Sequence, residues 1–234
     1  MRIGPSVQLA LKMWAATTGC EGELRQTYSE AAALFGCNAI DGTGRRRYGT
    51  GTPSVAKRFI QTIRDDLDIF ETVGMPGIDL RTSRFPYDGV KSQPVGEKPD
   101  IADVLYYVHR CAHGHGDEVQ EGFELMTDGP VPGNHSMHFS NDGVRLPGST
   151  VLGLVAVAVL APENVNERAG DVAIPWMGGT LVVDEWWGRG DDFRELVVSG
   201  GFNYYKLHVT PPDDAENTPL SEIADRMVRA IQGG

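Results

Sequence analysis

The sequence predicts an α+β domain in which helix dominates, a helical bundle with a small antiparallel β-hairpin region towards the C-terminus. Three observations predict it. Val55, Phe59, Ile60, Ile63, Leu67 and Phe70 recur at helical spacing. Val151 to Ala161 is apolar on every side, as in a helix at the centre of a core. Turn residues at Asn141-Asp142-Gly143 and Gly178-Gly179 separate short β-prone runs.

The elements follow in chain order. Ser6 is a suitable cap for a first helix carrying Val7, Ala10, Leu11 and Trp14 on one face. A second helix is expected from about Glu21 to Phe35, stopped by Gly36. A loop rich in glycine and arginine should then run from Asp41 to Pro53. Ser54 opens the strongest amphipathic helix, which Gly74 ends. The next 25 residues hold four prolines and read as a long connection. Asp100 caps a helix whose apolar stripe is Ile101, Val104, Leu105, Val108, Cys111 and Ala112, with Gly114 and Gly116 at its end.

A hairpin turning at Asn141-Asp142-Gly143 comes next, and Ser149 or Thr150 opens the wholly apolar helix. A second hairpin spans DVAIPWMGGTLVVDEWW, and FNYYKLHV reads as a third β element. Thr218 and Pro219 start a last helix with Leu220, Ile223, Ala224, Met227, Val228 and Ile231 on one face. The whole reads as a single domain over residues 1–234. Its helical core occupies about 55–162, and 163–234 is an elaboration of hairpins and a final helix.

Composition narrows the function classes. Cys20, Cys37 and Cys111 are odd in number, far apart and without C-x-x-C spacing, which suits thiols of a reducing compartment. Lys12 interrupts the short apolar run at the N-terminus, and Val151 to Ala161 is too short for a membrane span of about 20 residues. A cytoplasmic protein without a membrane partner is expected. The net charge of −11, from 32 acidic and 21 basic residues, opposes non-specific nucleic-acid binding. One basic cluster stands out: Arg45, Arg46, Arg47, Lys57 and Arg58 fall within 14 positions and are the expected substrate contacts.

Candidate chemistry concentrates in HRCAHGHGDE, His109 to Glu118. On a helix from Asp100, Arg110 points roughly 160° away from the apolar arc, with His113 and His109 on the same side as Arg110. His115 follows Gly114. An arginine offers a permanently charged donor fork suited to phosphate, and a histidine beside it titrates near neutral pH. Together they suffice to split RNA through attack of the ribose 2′-hydroxyl, with no metal and no cofactor. Asp117 and Glu118 are placed to orient a histidine.

Arg110-Cys-Ala-His-Gly-His115 resembles the R-x4-6-H motif of HEPN domains, and the similarity extends over about residues 55–162. In that family the residue after the arginine is commonly polar; here it is Cys111. The resemblance implies a helical core that forms a homodimer, with two motif copies meeting in an RNA-cutting cleft. Arg110 and His115 carry over as catalytic residues, with His113 as a neighbouring helper. It also implies a toxin or phage-defence role, RNA as substrate and a protein antitoxin as a candidate partner.

Two other readings stay open. His109 and His113 stand at i, i+4, a spacing that puts two imidazoles on one metal, and His115, Asp117 or Glu118 would complete the set. His135 and His138 are further ligands to weigh. Alternatively, the chain is a non-catalytic module that binds a nucleotide, RNA or a protein. Several motifs are absent: H-E-x-x-H, a P-loop, G-x-G-x-x-G and G-x-S-x-G. Trp186-Trp187 reads as packing, and Cys111 as a small buried hydrophobe.

Overall fold

The computed structural model describes residues 2–51, 53–85, 90, 98–107, 123–126, 138–140, 143–202, 206 and 208; the strands 123–126 and 138–140 are given by their backbone. The fold class is the one expected, α+β and mainly helical. Among the described residues no helix is long and apolar enough to cross a membrane.

Helix α1 (Ile3–Ala16) lies along α2 (Gly22–Tyr48). Its first turn is capped from far away in sequence: the Gly4 N–H donates to Glu167 Oε2 at 2.7 Å, satisfying one of the orphan amides of a helix N-terminus. Helix α2 corrects two expectations. It does not stop at Gly36, and residues 41–48 are helix rather than loop. Gly36 and Gly44 are points of close approach. A Cβ at Gly36 would meet Leu154 at 3.3 Å, and one at Gly44 would come within 2.7 Å of Thr62 Oγ1. The packing gained outweighs the roughly 1 kcal/mol that each helical glycine costs. The cap comes later, at Gly49, whose φ of +78° is the left-handed conformation glycine tolerates.

The amphipathic helix expected from Ser54 to Gly74 is two helices, α3 (Val55–Asp65) and α4 (Leu67–Gly74). Ser54 caps α3 through Lys57 N–H, as expected. The break is at Asp66 (φ −114°, ψ 33°), whose carboxylate accepts from Arg47 and Arg194. Asp100 then opens α5 (Ile101–Leu105) in a reciprocal capping box with Asp103. Arg64 of α3 holds both carboxylates, at 2.7 and 3.0 Å.

Helix α6 (Thr150–Leu160) is the centre of the molecule. All eleven residues are buried, and α1, α2 and α4 pack around it. Gly153 faces Gly74 of α4 so closely that a Cβ would lie 3.0 Å from the Gly74 Cα and 2.9 Å from the Phe70 ring.

Before α6 lies a three-stranded sheet of order β1-β3-β2: β1 (Phe123–Met126) parallel to β3 (Gly143–Pro147), and β2 (His138–Ser140) antiparallel to it. Strands β2 and β3 pair as the expected hairpin, out to Ser140 opposite Gly143. Strand β1 has no counterpart in the sequence reading. After α6 a 3-10 turn (Pro162–Asn164) leads to the hairpin of β4 (Ala173–Trp176) and β5 (Gly179–Val182). The chain then becomes helical, as α7 (Val183–Trp186) and α8 (Gly190–Ser199), where α8 was not anticipated. Of FNYYKLHV, residues 202, 206 and 208 are described and none is in a strand. The helix expected from Thr218 lies outside the described residues.

The β4–β5 turn sits one residue earlier than expected, with Met177 (φ +52°) and Gly178 (φ +75°) at its centre. Both central residues have positive φ, as a type I′ turn requires. Methionine is a poor choice there, and the residue is a partly exposed hydrophobic, 38% exposed, outside the buried core. Met177→Asn is expected to stabilise the protein by roughly 0.5–1 kcal/mol, read as a raised urea midpoint. A lowered midpoint would show that the methionine side chain contributes more than its backbone costs.

Candidate functional site

Helix α5 is the element that leads into the His109–Glu118 segment. Ile101, Ala102, Val104 and Leu105 are fully buried, so the helix is anchored in the core. Its backbone widens into a π turn at Tyr106 and Tyr107. Tyr106 packs on Phe59 with ring centroids 5.5 Å apart, and the Tyr107 ring stands edge-on to that of Tyr106. Such π turns are rare and frequent at functional sites. The next residues, including His109, Arg110, His113, His115, Asp117 and Glu118, lie outside the described residues, as does His135.

The basic cluster is described, and its residues do not form one patch. Arg45, Arg46 and Arg47 occupy the last turn of α2, where positive charge opposes the helix dipole favourably. Each is engaged by a carboxylate. Arg45 pairs with Asp41 at 3.2 Å, and Arg46 with Glu167, with Asn164 Oδ1 also accepting at 3.1 Å. Arg47 donates to Glu163 at 2.8 Å and to Asp66 at 2.7 Å, and pairs with Asp65 at 3.4 Å. Burial disfavours the Arg47 charge, but the hydrogen bonds and charges of Glu163 and Asp66 outweigh it and hold the guanidinium above its ordinary range. Arg58 is 3% exposed and donates to the Pro53 carbonyl at 2.7 Å. Lys57 is exposed.

The flexible basic loop expected at Asp41–Pro53 is therefore a rigid helix end down to Tyr48. Its arginines serve as the centre of an ion-pair network. Arg194 of α8 completes that network, reaching Asp66 at 2.9 Å and Asp68 at 2.7 Å. It ties α2, the α3–α4 junction, the turn after α6 and α8 together. The sequence signal was thin: three arginines, and Asp65, Asp66 and Asp68 about twenty residues later, carry no periodicity that pairs them.

This network predicts an acid response. Burial raises the Asp68 carboxyl, but the hydrogen bond and charge of Arg194 prevail and hold it below its ordinary value. Glu167 is likewise depressed: burial opposes, while the Gly4 N–H and Arg46 prevail. A carboxylate depressed in the folded state contributes stability that is fully present above its unfolded pKa of about 4. That contribution is lost as pH falls through the folded value. Urea midpoints should hold level from about pH 7 to 5 and fall steeply below about 4. In Arg194→Gln the acid fall should be shallower. An unchanged slope would remove Arg194 as its cause.

The three-stranded sheet supplies a second grouping. In its register Glu124 of β1 and His138 of β2 both stand opposite Arg145 of β3. Arg145 is exposed and its neighbour Leu146 is fully buried, so Arg145 belongs to the outward face. Residues directly opposite in a sheet share a face, which puts all three positions in one row. His138 is a candidate metal ligand by sequence, and no local pattern pairs it with the positions of Arg145 and Glu124. Among the described residues no group of three or more His, Cys, Asp or Glu side chains could hold a metal ion. The alternative set His109, His113 and His115 lies outside them.

Trp187 is buried, with its Nε1 donating to Asp184 at 3.0 Å. Trp186 packs against Phe193 and under Arg189, 4.8 Å from the ring centroid. The tryptophan pair thus serves packing, as expected.

Comparison with known proteins places the chain in a lineage. It is 42% identical over 198 residues to Uncharacterized protein Rv1289 of Mycobacterium tuberculosis (strain ATCC 25618 / H37Rv), which covers 83% of this chain and 87% of that protein. Uncharacterized protein Mb1320 of Mycobacterium bovis matches with the same identity and coverage. No solved structure matches. The model of the Rv1289 protein family matches residues 8–210, which spans the core, the His109–Glu118 segment and the sheet. The chain belongs to the Rv1289 family.

Proposed function

We propose that this protein is a metal-independent endoribonuclease of HEPN-like type, acting as a cytoplasmic homodimer. The observation that carries the reading is the Arg110-x4-His115 motif, which begins three residues after a π turn on a helix anchored in the core. The capping box at Asp100 and the two ion pairs of Arg64 brace that helix. Firm support on the N-terminal side of the motif suits a catalytic arginine that must hold a transition state rather than follow it. A free thiol at Cys20 suits a reducing compartment.

The reaction balances without a metal. The 2′-oxygen attacks the adjacent phosphorus, and His115 takes its proton. Arg110 donates hydrogen bonds to the phosphorane oxygens as negative charge accumulates on them. The P–O5′ bond then breaks and the leaving oxygen is protonated, with His113 near enough in sequence to share this work. The products are a 2′,3′-cyclic phosphate and a 5′-hydroxyl. The test is incubation of purified protein with single-stranded RNA in excess EDTA, with analysis of the product ends. Cyclic phosphate ends formed in EDTA support the reading. Activity lost to EDTA and restored by a divalent metal would replace it with the histidine metal site. A toxin or phage-defence role with a protein antitoxin belongs to the same proposal.

A further inference from the structure

Arg58 is the charge that the ion-pair network leaves out. It is 3% exposed, more deeply buried than Arg47, yet no carboxylate among the described residues pairs with it. Its guanidinium makes one hydrogen bond, from Nη1 to the Pro53 carbonyl at 2.7 Å, and its Nε is buried with no acceptor. A buried permanent charge without a counterion is costly, which is why such groups are ordinarily paired. The Pro53 contact fixes where the charge is aimed: back at the start of α3, since Pro53 directly precedes the cap residue Ser54. There the Ser54 hydroxyl takes the Lys57 N–H at 3.4 Å, and Val55 and Ala56 carry first-turn amides without an intrahelical acceptor. The first turn holds no acidic residue, and Lys57 and Arg58 add two positive charges to the positive end of the helix dipole. Ser54, Val55 and Lys57 are exposed, so this helix end is open to solvent.

We infer that the N-terminal end of α3 binds a phosphate group, held by the Arg58 guanidinium, the Val55 and Ala56 amides and the Lys57 ammonium. Two cations and two amides suit an oxyanion with several acceptor oxygens better than a carboxylate with two. A free phosphate, a phosphomonoester and a phosphodiester of RNA share this chemistry. Arg45, Arg46 and Arg47 do not take this part, because each is already held by a carboxylate. The site performs no reaction and does not depend on the ribonuclease reading. It supplies the counterion that the fold withholds from Arg58.

The experiment is calorimetric titration of the full chain with inorganic phosphate, at one ionic strength held with sodium chloride. Wild type is expected to bind saturably at one site. Arg58→Met keeps much of the side-chain length without its charge and should weaken binding about tenfold. Val55→Pro should weaken it a few-fold and leave the fold intact, because proline suits the first helical position and removes an N–H that the helix does not use. Lys57→Met should also weaken it a few-fold. Binding by Arg58→Met as tight as wild type would overturn the site. Should Arg58→Met fail to fold, unchanged binding in both Val55→Pro and Lys57→Met would overturn it. A second titration uses a short, fully 2′-O-methylated oligoribonucleotide, which has no attacking hydroxyl and so stays intact. Oligonucleotide that displaces phosphate assigns the site to a phosphodiester strand, and phosphate bound without competition assigns it to free phosphate or a monoester. A wild type that binds neither probe would also overturn the site. Cleavage is read in neither titration, so failure of the ribonuclease reading leaves this site standing, and failure of the site leaves that reading standing.

Discussion

Arg110→Ala and His115→Ala proteins are expected to fold as the wild type does and to cut RNA at least a hundredfold more slowly. The size follows from the roles. Removing a general base costs about 10²–10⁴ in rate, and removing a charged donor from a developing anion costs about 10²–10³. His113→Ala should cost less, since Arg110 and His115 carry the motif and His113 is a neighbouring helper. Cleavage is measured by gel under single-turnover conditions, with and without EDTA. Residual cleavage at the wild-type rate in both variants would eliminate the mechanism. Loss of cleavage together with a lowered melting temperature would assign the residues to the fold instead. Arg110→Lys separates these outcomes further, because it keeps the charge and loses the planar fork that holds two phosphate oxygens at once.

The largest stability effect should come from Arg47→Ala. The Arg47 side chain is 13% exposed and Asp66 9%, and Glu163 is 24% exposed. Truncating the arginine leaves those carboxylates facing each other in a partly dry site. Breaking a buried pair by removing one partner typically costs about 3–5 kcal/mol, and the residual exposure brings the expectation here to about 2–4. For a chain of this size that is a fall of roughly 5–15 °C in melting temperature. The control is Arg189→Ala. Its pair with Asp192 is about half exposed on both sides, and its loss should move stability by no more than about 0.5 kcal/mol, apart from its contact with Trp186. Equal effects of the two substitutions would show that the Arg47 network adds no more than a surface pair.

The helices with one dominant face were legible from the chain alone. Phe59, Ile60, Ile63 and Phe70 are buried as their periodicity required, and the run from Val151 proved to be the buried centre. Caps were legible where a side chain acts on its own turn, as at Ser54 and Asp100. The hairpins were legible because turn residues are local signals.

What failed was every inference that depended on a partner distant in sequence. Gly36 reads as a stop signal, and only Leu154 of α6, packed against it, explains why the helix runs on. Asp66 reads as one more residue of a continuous helix until Arg47 and Arg194 converge on it. Arg45, Arg46 and Arg47 read as a nucleic-acid patch because a sequence counts charges without their counterions, and Asp41, Glu163 and Glu167 were not visible as such.

From the sequence alone came the helical class, the central apolar helix, the local caps and the Arg110–His115 motif, because these depend on neighbours within one or two turns of chain. Tertiary structure alone decided the length of α2, the break between α3 and α4, the ion-pair network and the alignment of Glu124, Arg145 and His138. Each of these is an encounter between residues far apart in the chain, and its energy comes from packing and charge contacts that no local pattern encodes.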